Sequence, residues 1–272
     1  MPEVRRMKPL LGTFVEVAQA GAGAGAGGAI ESAFESITRS HALWSFQDPD
    51  SELSRLNRCG GEPVPLSAST LRLLRAARAM TAASGSAFDC TVGGALVMLG
   101  VLPDHGGAEP LARGCTSDIE IGAGWARLRR PVRLTLDGIA KGFAVDLAVR
   151  AMRRAGAASG WINAGGDLRV FGDSVLAVQR RELDGSYRSL GSLHNGAMAS
   201  SRGGARDASF PAHLVGLGNT AASSGIWTVV ARCAWRADAL TKVAAAAPPT
   251  TRADLVARLG GALLEPDVET AS

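Results

Sequence analysis

Hydrophobic residues in this sequence switch between steps of two and steps of three to four, and never settle into a steady strand–helix–strand alternation. Thr13–Ala18, with Phe14 and Val15, reads as a strand, and Ile30, Ala33, Phe34, Ile37 and His41 fall on one face of a helix over about 29–43. Asp48-Pro49-Asp50-Ser51 is turn chemistry that opens a short helix carrying Leu53 and Leu56. Ser67 caps a longer helix with Leu71, Leu74, Ala77 and Thr81 on one side, ended by Gly85. A glycine-rich segment (88–100) and a polar loop (103–117) follow, and then Ile119, Ile121, Trp125, Leu128, Val132, Leu134 and Leu136 predict two or three short strands. The next helix, over 141–155, buries Ala144, Leu147, Ala148, Ala151, Met152 and Ala155 and stops at Gly156. Strands recur at 160–163, 168–171, 175–179 and 226–233, with helices from about 236 and over 253–259. Such mixing predicts an α+β fold, a mixed and largely antiparallel sheet flanked by helices. Without an internal repeat or a long linker, residues 1–272 are expected to form one domain.

Bulk composition narrows the function classes. An apolar share of 46% with a charged share of 20% is that of a soluble globular protein. The net charge of +4 suits an anionic small molecule, but no Lys/Arg run with interleaved aromatics marks a nucleic-acid surface. Arg127, Arg129 and Arg130 read as a solvated strand or turn face. Cys59, Cys90, Cys115 and Cys233 are too scattered for a zinc site and too few for a disulfide scaffold, so reduced thiols and a cytoplasmic setting are expected. No run of about eighteen apolar residues predicts a membrane span, and no apolar h-region follows the charged start.

Two glycine motifs compete for a nucleotide. Gly23-Ala24-Gly25-Ala26-Gly27-Gly28 satisfies G-x-G-x-x-G, but a Gly-Ala tract meets that pattern by composition. The helix after it leads into Leu43-Trp44-Ser45-Phe46-Gln47-Asp48-Pro49 rather than a buried strand ending in an acid, which leaves an NAD-dependent oxidoreductase as the weaker alternative. The second motif, Leu136-Asp137-Gly138-Ile139-Ala140-Lys141-Gly142-Phe143-Ala144-Val145-Asp146, leaves backbone uncovered just before a helix and puts Lys141 in its first turn, an arrangement suited to phosphate. Asn163-Ala164-Gly165-Gly166-Asp167 and Ala237-Asp238-Ala239-Leu240-Thr241-Lys242 again set acids or lysines beside small residues. Asp238 and Thr241, three apart on a helix, share a face and offer the hard oxygen donors that magnesium takes.

Together these motifs resemble the FAD:protein FMN transferases of the ApbE family, over about residues 8–265. The family's Asp-Leu-Gly-Gly-Ile-Ala-Lys-Gly-Tyr-Ala-Val-Asp is matched from Gly138 to Asp146, with Phe143 for tyrosine. The resemblance implies that the Gly138 carbonyl, Asp238 and Thr241 hold magnesium, and that Lys141 lies beside the flavin nucleotide. It also implies FAD contacts from Leu11, Gln47, Ala87, Phe88, Asp89, Asn163, Gly165, Gly166 and Asp167. His213, in a remnant of the family's His-x-Ile-Asp-Pro-x-Thr-Gly, is a further flavin contact and a base candidate beside the acid Asp137, and Asp238, the metal ligand, is the other residue set in the catalytic group. Three departures stand out. Thr135 occupies the place of an FAD-holding aspartate, and Asp137, two residues on and on the same face if the segment is a strand, is its potential substitute. Lys242 replaces a threonine. At about 4 Å from a divalent cation its charge would cost roughly 8 kcal/mol at an effective dielectric near 20, so it points away, donates to a phosphate instead, or signals that metal binding is impaired.

The implied reaction transfers FMN from FAD to a Thr or Ser hydroxyl of an acceptor flavoprotein, with magnesium assisting and AMP leaving. An FAD pyrophosphatase and a flavin-binding protein without turnover are alternatives in the same fold.

Overall fold

The computed structural model describes residues 3–21, 26–203 and 225–265. His213 lies outside the described residues, as do positions 22–25 of the Gly-Ala tract; Gly27 and Gly28 belong to the first helix. The elements run β1 (Glu3–Leu10), β2 (Thr13–Ala20), α1 (Ala26–Trp44), α2 (Glu52–Asn57), β3 (Val64–Pro65), α3 (Ala68–Ala83), α4 (Gly93–Met98), β4 (Ile119–Ile121) and β5 (Trp125–Leu128). They continue with α5 (Ala140–Arg154), β6 (Gly160–Ala164), β7 (Asp167–Phe171), β8 (Val175–Arg181), β9 (Tyr187–His194), β10 (Ala197–Gly203), β11 (Gly225–Ala231), α6 (Ala234–Ala246), α7 (Arg252–Arg258) and β12 (Gly261–Leu263).

Seven strands form the main sheet in the order β1-β2-β6-β7-β10-β11-β12, and every neighbouring pair is antiparallel. The α+β expectation is met. An antiparallel sheet has none of the parallel βαβ units on which a nicotinamide fingerprint depends, so that alternative loses its scaffold. Helices α1, α5 and α6 cover one face, where Val15, Val17, Ile30, Phe34, Val145, Met152, Ile162 and Phe171 form a buried core. The β8–β9 hairpin covers part of the other face, setting Val178 and Leu193 against Leu168, Val170 and Met198. A second cluster joins α2, α3 and the small β3-β5-β4 sheet to the inner side of α6 through Leu53, Leu56, Leu74, Leu134, Leu240 and Val243.

Several expectations need correction. The charged start carries no strand expectation, yet β1 pairs with β2 along its whole length, as an edge strand whose Arg6 and Lys8 both bind Glu31 of α1. Segment 132–136 forms no strand; only Arg133 makes an isolated bridge, to Val92, and 137–139 is a turn. α4 occupies the glycine-rich segment because Gly93 and Gly94 let main chain come close: a Cβ there would stand 2.6 Å from the Arg133 carbonyl oxygen or 2.0 Å from that of Leu111. In α5 the buried residues are Phe143, Ala144, Val145, Ala148, Val149 and Met152, while Leu147 and Ala151 are half-buried and Ala155 is exposed. A helix packed on α1, α6 and the sheet has no single stripe. His41 is exposed, and Trp44 ends α1 instead, buried and donating from Nε1 to Thr70 Oγ1 at 2.8 Å. The arginine cluster is a surface ion-pair group, with Arg127 and Arg129 on Glu120 and Arg130 on Asp118. All four cysteines are free. No helix among the described residues is long and apolar enough to cross a membrane.

Candidate active site

Two tight turns build one wall of the site. Leu11 and Gly12, with φ of 57° and 69°, join Leu10 to its partner Thr13. Gly165 and Gly166, with φ of 60° and 100°, join Ala164 to Asp167. Both are two-residue hairpins with two left-handed residues, the twist that antiparallel strands favour. Asn163 Oδ1 accepts the Gly166 N–H at 3.0 Å, and a Cβ on Gly165 would strike Thr13 Oγ1 at 2.5 Å, so the two turns abut. Leucine in the left-handed region costs on the order of 1–3 kcal/mol. That strain is spent at the mouth of a cavity.

The cavity, about 380 Å³, is lined by Leu11, Gln47, Asp137 and Lys141, with Trp44, Phe46 and Ala140 among its apolar surfaces. Its size is within the range that holds small-molecule ligands. Four sequence-selected residues from three separate segments therefore meet in one place. Trp44 and Phe46, which motif reading passed over, supply much of the wall, and Phe143 packs edge-on against Trp44 at 5.7 Å.

Behind the cavity, α5 and α6 approach closely because residue 142 lacks a side chain: a Cβ there would lie 2.4 Å from the Ala234 carbonyl oxygen. The Gly142 N–H donates to Asp238 Oδ2 at 3.0 Å. Asp238 is wholly buried, and its Oδ1 accepts from Lys242 Nζ at 2.5 Å. Lys242 also donates to Ser201 Oγ at 2.9 Å. Thr241 Oγ1, also wholly buried, donates to the Asp238 carbonyl oxygen at 2.7 Å and meets Ser201 Oγ at 2.7 Å. Gly138 stands beside this group, since a Cβ on it would lie 3.1 Å from Phe88 Cε2 and 3.4 Å from Lys242 Cγ. Asp146, the last residue of the same motif, accepts the Ala234 and Trp235 N–H groups at 3.1 and 3.0 Å, capping α6 and fixing it to α5.

Charges in the site are strongly coupled. Burial, reinforced by the Asp238 charge, raises the Asp167 carboxyl to about 6. Lys141 Nζ lies 3.1 Å from Asp167 Oδ2. Burial pulls the Lys141 amine down, but Asp167, Asp238 and Asp137 outweigh it, so the net shift is upward. Desolvation raises Asp137 as well, with Asp238 adding and the two lysines opposing. Asp137 is exposed on the cavity wall, so solvent reaches its carboxyl.

The remaining selected residues play supporting roles. Thr135 is buried, and its Oγ1 accepts the Asp137 N–H at 3.5 Å, so it sits behind Asp137 and does not share a strand face with it. Asp89 is committed: Oδ1 accepts the Thr91 N–H and hydroxyl at 2.8 and 2.6 Å, and Oδ2 lies 3.2 Å from Arg113 Nε. Ala87 and Phe88 are buried, Phe88 against Gly138. Ser201 stands on β10. Its role depends on β10 lying beside α6, which local pattern does not reveal.

The oxygen donors do not fit the expected magnesium ion as they stand. Among the described residues no three His, Cys, Asp or Glu side chains are grouped to hold a metal. The single carboxylate chosen for it is bound by an ammonium, and the Thr241 hydroxyl is turned to a main-chain carbonyl. Magnesium takes near-octahedral oxygen ligation and tolerates no cation within contact distance.

Comparison with known proteins agrees with this architecture. An ApbE protein from Thermotoga maritima superimposes with a TM-score of 0.80 at 24% identity, over 97% of this chain and 94% of the other. The apo form of flavinyl transferase ApbE from Pseudomonas stutzeri does so with a TM-score of 0.80 at 19% identity, over 97% and 94%. A mutant of flavin transferase ApbE from Vibrio cholerae gives 0.81 at 18% identity, over 99% and 95%. A search of curated proteins gave no match. The model of the ApbE family matches residues 11–264, nearly the whole of the fold built above, and the chain belongs to that family.

Proposed function

We propose that this protein moves the FMN half of FAD onto a Ser or Thr hydroxyl of a partner flavoprotein and releases AMP. The observation that carries the reading is the convergence of Leu11, Gln47, Asp137 and Lys141 on one cavity at the first turn of α5, backed by the buried pairs Lys141–Asp167 and Lys242–Asp238. Two ammoniums facing a helix start suit a diphosphate, and the apolar walls from Trp44 and Phe46 suit a flat ring system. The relatives from Pseudomonas stutzeri and Vibrio cholerae, flavin transferases by name, point the same way.

In the step, the acceptor hydroxyl oxygen attacks the FMN phosphorus, the bond to the AMP oxygen breaks, and the hydroxyl proton passes to a base. Asp137 is that base in our reading. It reaches solvent in the cavity, and its carboxyl is held above the ordinary range, which brings a proton acceptor closer to neutrality. A positioned base is worth about 10²–10⁴-fold. Asp238 has both oxygens taken and no exposure, so it acts as a positioning residue. Lys141 and Lys242 neutralise charge that develops on the departing phosphate oxygens. The resemblance implies magnesium, but with Lys242 on Asp238 no step is assigned to the metal.

Incubation with FAD and a candidate acceptor, followed by mass and in-gel flavin fluorescence of the acceptor, tests the reading. An FMN adduct with equimolar AMP is expected. Equal release of FMN and AMP without an acceptor would make the protein a pyrophosphatase, and FAD binding without AMP release would make it a flavin carrier.

A further inference from the structure

We infer that Lys242 is a built-in cation standing where a divalent metal would sit, so that the FAD diphosphate binds to this chain without metal. The inference rests on the flavin reading above. Its starting point is what surrounds Nζ: Asp238 Oδ1 at 2.5 Å and Ser201 Oγ at 2.9 Å, with Ser201 linked in turn to Thr241 at 2.7 Å. Asp238 Oδ1 and Ser201 Oγ are hard oxygen donors of the kind a metal takes, and they point at an ammonium instead, while the Thr241 hydroxyl turns to the Asp238 carbonyl. An ammonium has three donors. Among the described residues two are used, and the side chain is 18% exposed, so the third is open to an incoming anion.

Placement follows from the helix. Asp238 and Lys242 are four apart on α6 and therefore share a face. The Gly142 N–H locks the other carboxylate oxygen to α5, fixing the direction in which Oδ1 holds the ammonium. The aliphatic stem runs past Gly138, where a Cβ would stand 3.4 Å from Cγ and 3.5 Å from Cε. Lys242 is thus held at a defined point, as a bound ion is, and does not swing free as a surface lysine does. Lys242 passes beside Gly138, two residues before α5 begins, and Lys141 lies in the first turn of that helix, so both lysines stand at the same end of α5. A divalent ion entering there would meet Lys242 at contact distance and compete with it for Asp238.

The test is FAD binding by the full chain, followed through quenching of flavin fluorescence, in EDTA and in excess magnesium. The wild type is expected to bind with the same affinity in both, within about twofold. Lys242→Thr, which replaces the ammonium with an oxygen donor and frees Asp238, is expected to lose about tenfold or more in EDTA and to recover with magnesium. Magnesium titrated alone by calorimetry should give heat with Lys242→Thr and none with the wild type. Wild-type binding that needs magnesium would overturn this inference and leave the flavin reading standing. Absence of FAD binding in either condition would overturn both. Should Lys242→Thr fail to fold, the wild-type comparison decides alone.

Discussion

Replacing Gly142 with alanine sets two opposite expectations against each other. Helix propensity favours alanine by about 1 kcal/mol inside a helix. The contact geometry opposes it: the new Cβ would lie 2.4 Å from Ala234 O, 2.6 Å from Ala234 C and 2.8 Å from Trp235 Cα. Carbon contacts are comfortable at about 3.5–4.0 Å, so α5 and α6 must part by roughly 1 Å. No side chain can yield, because every atom met is main chain in the first turn of α6. That turn is tied to α5 by the two Asp146 cap bonds, which parting stretches along with the Gly142–Asp238 bond. Overpacking costs about 1–3 kcal/mol, and weakening these hydrogen bonds adds about 1 kcal/mol for each one lost.

Gly142→Ala is therefore expected to lose about 1–4 kcal/mol net. Urea unfolding with linear extrapolation measures this directly, and the melting temperature should fall by about 2–4 °C per kcal/mol. Ala151→Gly, at a half-buried position of the same helix, serves as the control for propensity and should cost about 1 kcal/mol. A Gly142→Ala protein as stable as the wild type, or more so, would refute the argument. It would show that the α5–α6 spacing is pliable and that the glycine is not there for close approach.

Three further outcomes are expected. Asp146→Ala removes the α6 cap and leaves the Arg169 guanidinium, 3.6 Å from that carboxylate and largely buried, without its partner, so stability should fall by about 2–4 kcal/mol in urea unfolding. Asp137→Asn should lower the rate of FMN transfer by about 10²–10⁴-fold while the affinity for FAD stays within a few-fold. The acid limb of the wild-type rate profile should lie above the ordinary carboxylate range, because burial raises Asp137, and should vanish in the variant. Hydrogen bonds from Arg130 hold the buried Asp118 carboxyl down at about 2, below its unfolded value. This group therefore stabilises the fold above about pH 4 and stops doing so as the pH falls towards 2. The stability difference between wild type and Asp118→Asn should shrink across that window in unfolding measured at successive pH values.

The residues that sequence reading recovered share a property: their role is set within a few positions along the chain. Ser67 accepts from the Thr70 N–H as an N-cap must, and Gly165-Gly166 make the two-residue turn that Asn163 closes. Lys141 follows the strand-free turn that opens α5. The elements that escaped depend on partners far away. β10 is a run of alanines and serines with weak strand propensity, yet it is a central strand between β7 and β11. Its small side chains are what let α6 lie close. β1 carries four basic and acidic residues in eight and reads as solvated; it is held as an edge strand by ladder bonds and by Glu31, which no local window contains.

The same division runs through the site and decides which of its charges matters most. Composition and spacing place Asp238, Thr241 and Lys242 on one helix, and from that alone the lysine is free to point away, to reach a phosphate, or to impair metal binding. Choosing among these needs two facts from elsewhere in the chain. Gly142, almost a hundred residues earlier, fills one carboxylate oxygen of Asp238 and so directs the other. Ser201, from a strand the pattern does not announce, gives the ammonium its second acceptor. With both in place, the lysine cannot leave without stranding a wholly buried carboxylate, a loss on the order of 3–5 kcal/mol. A magnesium ion would have to overcome that loss as well as the repulsion of the cation already there. The lysine therefore holds its position, and Asp238 and Ser201 form a pocket for an ammonium.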